Sequence, residues 1–118
     1  MTPESLQYHG DKMRRVLDLH VGRDNAIPVP DLAPLVGLSD TRDYRDVREV
    51  RDFLEGEGYP VCADATGMWQ ADCPEEVEAV MASLKRTAMT LLWRYSRLRK
   101  IKRRLWPNWQ PSLWKDVA

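Results

Sequence analysis

The sequence contains few of the residues that build disulfide frameworks, metal sites or membrane spans. Its 118 residues include two cysteines, Cys62 and Cys73, and two histidines, His9 and His20. Two cysteines are too few for a disulfide framework, and they show no zinc-ligand spacing with the histidines. No apolar run approaches the ~20 residues of a bilayer-crossing helix, and the first residues lack the basic-then-apolar order of a secretory signal. We expect a cytoplasmic protein that uses neither a metal nor a cofactor.

Catalytic motifs are missing as well. The chain has no glycine-rich loop that would cradle phosphate and no nucleophile motif. His20 is expected on the apolar side of the first helix as a packed core residue, and His9 stands alone. We interpret Cys62 and Cys73 as small buried apolar residues, with a redox switch as the less favoured alternative. The sequence therefore predicts a binding protein that is not an enzyme.

Charge is distributed very unevenly along the chain. Residues 1–73 hold 8 Lys/Arg against 14 Asp/Glu, whereas residues 74–106 hold 9 against 3, so net charges of −6 and +6 cancel. A patch rich in bases attracts polyanions, either nucleic acid or an acidic protein surface; the plainer alternative is a solvated helix face. Like charges four residues apart repel, which favours an anionic partner. DNA phosphates are the first candidate, and the acidic N-terminal domain of a neighbouring copy, in a head-to-tail or filament-like assembly, is the second. The basic side chains crowd, without an acid among them, at Arg94, Arg97, Arg99, Lys100, Lys102, Arg103 and Arg104.

The apolar pattern predicts three helices, over residues 3–21, 30–36 and 43–55. In the third, the core-facing residues are expected to be Val47, Val50, Phe53 and Leu54. A very short extended piece, 26–29, separates the first two helices, and its proline restricts it to a sheet edge. Two short strand candidates, 59–62 and 68–71, enclose a hairpin tip at 64–67. Gly37 suits the end of the second helix, in which Pro34 is awkward unless it lies in the first turn.

This order of elements resembles a winged helix-turn-helix domain. Residues 25–27 (NAI) followed by 31–39 (DLAPLVGLS) resemble the second helix and turn of that family, and 45–54 (RDVREVRDFL) resembles its recognition helix. Residues 58–61 (GYPV) followed by 67–69 (GMW) resemble its wing. The likeness is to biotin-repressor-like domains and to small DNA-binding proteins encoded by bacteriophages, and it covers about residues 10–73. It implies a mainly α domain with a small β-hairpin.

The resemblance also implies a DNA-binding surface. In that family the third helix enters the major groove and the wing lies over the backbone or minor groove. Carried over by position, the outward residues are Arg42, Tyr44, Arg45 and Arg48, and Thr41 or Ser39 would bond a phosphate. Arginine can bridge guanine O6 and N7, so the expected base readers are Arg45 and Arg48 together with Arg42.

Acidic residues set this chain apart from the family pattern. Because phosphate neutralisation supplies most non-specific affinity, a domain of charge −6 is a poor DNA binder by itself. Either the basic helix compensates, or the winged helix contacts protein. The acids lie among the arginines and at the expected wing tip: Asp40, Asp43, Asp46, Glu49, Asp52 and Asp64.

A long helix is predicted from Pro74 to Leu105, with acids in its first turns as the helix dipole favours. At 1.5 Å per residue it would span ~48 Å and project beyond a 75-residue globule. Its stripe either covers the domain core or pairs with a second copy, and a homodimer would present two recognition helices to a palindromic site. The stripe repeats every 3.5 residues, as a coiled-coil seam does, through Val77, Met81, Leu84, Ala88, Leu91, Tyr95 and Leu98.

The last residues are rich in tryptophan and proline. Trp106, Trp109 and Trp114 form either an arm that docks on a partner or one that folds back onto its own domain or its dimer mate. The predicted organisation is therefore a winged helix-turn-helix domain (1–73), a basic amphipathic helix for dimerisation and phosphate contact (74–106) and a tail (107–118).

Two hypotheses about function follow. The first is a DNA-binding protein of phage type that binds double-stranded DNA in the bacterial host cytoplasm as a transcription regulator or replication accessory factor. The second is a protein–protein adaptor, in which the acidic winged helix or the Trp/Pro tail docks a polymerase, helicase or packaging component.

Overall fold

The computed structural model describes residues 1–38 and 44–110. It confirms a mainly α fold with a small antiparallel hairpin and a long C-terminal helix. The chain divides into an N-terminal unit, Met1–Met81, and a C-terminal unit, Ala82–Ala118. The elements follow in the order α1 (Pro3–Leu17), a 3₁₀ turn (Arg23–Asn25), α2 (Val29–Leu35), α3 (Arg45–Gly56), β1 (Val61–Asp64), β2 (Gly67–Gln70) and α4 (Pro74–Leu105).

Helix α1 is shorter than its apolar pattern predicts. It begins at a cap in which Thr2 Oγ1 accepts a hydrogen bond from the Ser5 N–H at 3.1 Å, and it ends at Leu17. His20 therefore lies beyond the helix, only partly buried, where its Nδ1 is 2.7 Å from the carbonyl oxygen of Asn25. The prediction of a core histidine on α1 is wrong, because the chain has already turned before residue 20.

Helix α2 ends in a Schellman motif. Gly37 has φ +79°, and its N–H donates to the Pro34 carbonyl at 3.2 Å, while the Leu38 N–H donates to the Ala33 carbonyl at 2.9 Å. This pair of bonds satisfies carbonyls that the helix end would otherwise leave without donors. Gly37 thus ends the helix as expected. Pro34 lies inside α2, and the helix continues for one residue beyond it.

The core lies in the N-terminal unit between α1, α2, α3 and the hairpin. α1 and α3 approach closely at Gly10, where a Cβ atom would lie 3.0 Å from Cε1 of Phe53. Of the four core residues predicted on α3, Val47, Val50 and Leu54 are buried, and Phe53 is half-buried. The largest fully buried side chains are those of Met13, Leu17, Leu32, Val36, Val47, Val50 and Cys62.

The hairpin has a shorter turn than expected, and a third segment pairs with its second strand. β1 and β2 pair from Val61 with Gln70 to Asp64 with Gly67, so two residues form the turn. On the other side of β2, Ile27 and Met68 exchange two backbone hydrogen bonds of 2.9 Å each. The extended piece expected at 26–29 therefore forms a single bridge at the sheet edge.

Candidate nucleic-acid interface

The exposed side of α3 begins with arginines and ends with acids. Arg45 and Arg48 are exposed in the first half of the helix, on the side away from the buried Val47, Val50 and Leu54. The second half exposes acidic side chains instead. The fully exposed arginines of α3 therefore lie in its N-terminal half.

The other residues predicted for this surface differ in position. Thr41 and Arg42, with Ser39, lie outside the described residues. Tyr44 has φ +57° at the position before α3, and its ring packs partly against the core. The expected outward placement of Tyr44 is therefore wrong, because the apolar ring is drawn into the core cluster.

Some of the acidic side chains of α3 are partly buried or ion-paired, which the sequence does not show. Asp46 is half-buried in the first turn, where the helix dipole favours a negative charge. Asp52 accepts a hydrogen bond from Arg51 Nη2 at 3.0 Å, so part of its charge is neutralised on the same helix. Glu55 is exposed near the helix end. The anionic half of this face is consequently centred on the end of α3, away from Arg45.

The acid at the hairpin tip is held by a residue that the sequence analysis did not single out. Arg23 Nε donates to Asp64 Oδ2 at 2.8 Å, and the Thr66 backbone N–H donates to Asp64 Oδ1 at 2.8 Å. The Thr66 hydroxyl also donates to Asp64. These bonds, with that hydroxyl contributing most and Arg23 less, lower the pKa of Asp64. The hairpin tip thus presents an ion pair rather than a bare negative charge.

Arg23 also connects the start of α4 to the rest of the N-terminal unit. Its backbone N–H donates to Glu76 Oε2 at 2.8 Å, while Glu76 Oε1 accepts the Asp72 N–H at 2.7 Å. The Asp72 bond is the largest cause of the lowered pKa of Glu76. The buried Trp69 indole N–H lies near enough to favour the charged carboxylate, although it makes no hydrogen bond of ordinary geometry within the described residues.

The histidine and cysteine predictions are partly corrected. His9 does not stand alone, because its Nδ1 is 2.8 Å from the Val36 carbonyl oxygen and so links α1 to the end of α2. Cys62 is buried as expected, and burial raises the pKa of its thiol. Cys73 is exposed, so its interpretation as a buried residue is wrong. It occupies the position just before Pro74, outside the core.

The basic residues between Arg94 and Arg104 are all exposed on α4. Within residues 1–38 and 44–110, none of the seven forms a salt bridge with an acid. Three of them, Arg97, Lys100 and Arg104, follow one another at steps of three and four residues, so they share one helix face. The C-terminal unit therefore carries a concentrated positive charge that the described chain does not neutralise. We call residues 94–104 the basic segment.

The end of α4 carries two exposed tryptophans. The backbone N–H of Trp106 donates to the Lys102 carbonyl at 2.9 Å, and Lys102 Nζ lies 4.9 Å from the centre of the Trp109 ring. This cation–π contact places the chain after the helix against the last turns of α4. Trp114 lies outside the described residues.

The predicted seam of α4 is exposed along most of its length. Val77, Met81, Leu84, Leu91, Tyr95 and Leu98 all have more than a third of their surface accessible. Other apolar residues of α4 outside the predicted stripe are exposed as well: Met89, Leu92, Trp93, Ile101 and Leu105. With Leu105 included, leucines recur every seventh residue from Leu84. This seven-residue spacing is visible in the sequence, and it predicts that the seam continues into the basic segment.

Comparisons with known proteins add no family assignment. No protein-family model, no curated protein and no solved structure matches this chain. Among the helices of the part described, none has both the length and the apolar content required to cross a bilayer.

Proposed function

We propose that this protein binds double-stranded DNA, with α2 and α3 acting as the helix-turn-helix pair of a winged-helix domain. Arg45 and Arg48 are its base-reading residues, and the basic segment contacts phosphates. The observation that carries this proposal is the basic segment, in which seven exposed cations have no acidic partner within the described residues. Phosphate contacts of this kind supply most of the sequence-independent affinity for DNA.

The charge of the N-terminal unit supports different roles for two cationic regions, the start of α3 and the basic segment. Arg45 and Arg48 are exposed at the start of α3, whereas the unit as a whole is acidic. An acidic domain gains little from phosphate contacts, so its arginines contribute sequence discrimination rather than bulk affinity. The basic segment supplies the affinity that the domain lacks. The role of a transcription regulator or replication accessory factor of phage type fits such a protein.

The experiment begins with selection of bound sequences from a random duplex pool by the full chain. Binding of the selected and of a scrambled duplex is then compared for the Arg45→Ala/Arg48→Ala variant. Each lost base-reading contact is expected to cost about 1–3 kcal/mol of discrimination, while binding to the scrambled duplex changes much less.

Arg15→Ala supplies the matched control, because Arg15 is an exposed arginine of the same unit on α1. It should leave discrimination unchanged. The proposal is overturned if the full chain binds neither duplex at moderate salt. Equal discrimination by the wild-type chain and by Arg45→Ala/Arg48→Ala would remove α3 from the interface.

A second candidate function is favoured by the exposed tryptophans. Trp106 and Trp109 have 59% and 51% of their surface accessible, and tryptophan is enriched in the energetic centres of protein interfaces. Under this alternative the chain is an adaptor for a polymerase, helicase or packaging component. Failure of the full chain to shift any DNA, together with capture of such a partner that is lost in Trp106→Ala/Trp109→Ala, would favour the adaptor.

A further inference from the structure

The leucines of α4 form an apolar stripe that has no cover within the described residues. Leu84, Leu91, Leu98 and Leu105 are 63%, 60%, 54% and 52% exposed, and no residue of α4 is buried. Leucine at every seventh position, with further apolar residues between them, is typical of a helix that pairs lengthwise with another helix. The remaining question is which helix pairs with it and in which direction.

We propose that two copies of this protein pair through α4 in antiparallel orientation, with Pro74 of each helix beside Leu105 of the other. The inference rests on α4 alone and does not depend on DNA binding. In this register the two helices overlap from end to end, and their heptad patterns stay in phase. A second copy of this chain is the partner that covers the leucine stripe, because its own α4 supplies apolar residues that pack on the leucines and charges that pair with those beside them.

The apolar layers of this register combine residues of complementary size. Leu98 of one copy packs on Met81 of the other, and Leu91 packs on Ala88, the smallest residue of the stripe. Val80 faces Ile101 beside the stripe. That pairing accounts for Ile101, which is 41% exposed and lies just outside the line of leucines. Each layer occurs twice because the pair is symmetric.

The charges distinguish the antiparallel pair from a parallel one. In the antiparallel register Glu78 faces Arg99 of the second copy, twice per dimer, and Arg94 faces the neutral Thr87. In a parallel pair Arg94 would face Arg99, also twice, and Lys102 would meet Lys102 in the stripe itself. A parallel pair would also bring the two basic segments side by side. Repulsion at these flanking positions governs the direction in which helices pair.

Charge reversal at Arg99 tests the direction, with the dimer dissociation constant measured by sedimentation equilibrium in the absence of DNA. Arg99→Glu places two pairs of facing carboxylates in the antiparallel dimer, so the dissociation constant should rise about tenfold. In a parallel dimer the same change would set the new carboxylate opposite Arg94, twice, and tighten the pair. The sign of the effect therefore separates the two arrangements.

Two further variants complete a double-mutant cycle at Glu78 and Arg99. Glu78→Arg should weaken the dimer to a similar degree, and the double variant Glu78→Arg/Arg99→Glu should recover most of the affinity because the ion pair is restored with its ends exchanged. Lys100→Glu is the matched control: it makes the same change of charge next to Arg99 but on the outer side of the helix, and it should alter the dissociation constant much less.

Spin labels at residue 103 provide a second measurement that does not rely on charge. The Arg103→Cys label is placed in a Cys73→Ser background, since Cys73 is exposed and Cys62 is buried. Antiparallel pairing separates the two labels by about 40 Å along the helix axis. Parallel pairing brings them within roughly 20 Å.

Each outcome of these measurements either supports or overturns antiparallel pairing of two α4 helices. A concentration-dependent dimer that Arg99→Glu weakens, with the long label distance, supports the proposal. A dimer that Arg99→Glu tightens, or the short distance, overturns the antiparallel arrangement. A chain that stays monomeric at tens of micromolar, whether or not it binds vesicles of anionic lipid or DNA through α4, overturns self-pairing altogether.

Discussion

The backbone N–H of Arg23 donates a hydrogen bond to the carboxylate of Glu76 at 2.8 Å. These two residues are 53 positions apart, and the bond ties the start of α4 to the 3₁₀ turn after α1. Because the same carboxylate also accepts the Asp72 N–H, Glu76 holds two backbone donors at once. The side chain of Arg23 meanwhile holds Asp64 at the hairpin tip. A single turn therefore positions both the hairpin and the first turn of the long helix.

Replacing Glu76 by alanine should lower the thermal unfolding midpoint of the protein. The change leaves the N–H groups of Arg23 and Asp72 without their acceptor and removes a negative charge that the helix dipole favours. The midpoint is measured by circular dichroism at neutral pH. Glu75→Ala is the control, since Glu75 is an exposed acid of the same helical turn. Equal effects of the two changes would show that only charge, and not the hydrogen bonds, matters.

Acid should destabilise the fold in a way that depends on Asp64 and Glu76. Both carboxyls have a lowered pKa in the folded protein, so both stabilise it when ionised. That contribution is present above the unfolded-state pKa values of about 4 and is lost as pH falls through the lower folded values. Urea unfolding as a function of pH gives the measurement. In Asp64→Asn/Glu76→Gln the dependence below pH ~5 should be flatter, and an unchanged profile would contradict the assignment.

Glycine is required at residue 67. Gly67 has φ +140°, and a Cβ atom there would clash with the Ile27 carbonyl across the bridge to β2. Gly67→Ala must therefore adopt a strained conformation and push the Ile27 segment away, which should destabilise the protein by at least about 3 kcal/mol. Gly56→Ala is the control, because no atom lies within 4 Å of its added Cβ. Its effect should stay within about 1 kcal/mol. Chemical denaturation measures both.

Sequence periodicity predicted the elements well where local pattern decides them. The bounds of α4 agree at both ends, because proline begins the helix and Trp106-Pro107 ends it. Buried Val47, Val50 and Leu54 follow from helical spacing in α3. The roles of Arg23 and His9 could not be predicted, since each depends on partners 27 to 53 residues away. The placement of Tyr44 could not be predicted from helical spacing, because the residue lies before α3 with a left-handed backbone and its ring packs against the core.

Tyr59 should make the fold sensitive to alkali. The residue is buried and its hydroxyl donates to Asp18 Oδ1 at 2.7 Å, and burial followed by this hydrogen bond raises its pKa. The folded state therefore favours the neutral phenol, and stability should fall as pH rises above the unfolded-state value of about 10. Tyr59→Phe should cost about 1–2 kcal/mol at neutral pH and weaken this dependence. Urea titrations at about pH 7 and about pH 11 test both statements.

If the basic segment contacts phosphates, its loss should change the salt dependence of DNA binding. Arg97→Gln/Lys100→Gln/Arg104→Gln removes three cations that share one helix face and leaves the leucines intact. Each lost phosphate contact reduces the slope of log K against log salt by about 0.9, so three reduce it by about 2.7. Fluorescence anisotropy with a random duplex at several salt concentrations measures the slope. Arg15→Gln, an exposed change in the N-terminal unit, should leave it unaltered. A triple variant with the wild-type slope would place the phosphate contacts elsewhere on the chain.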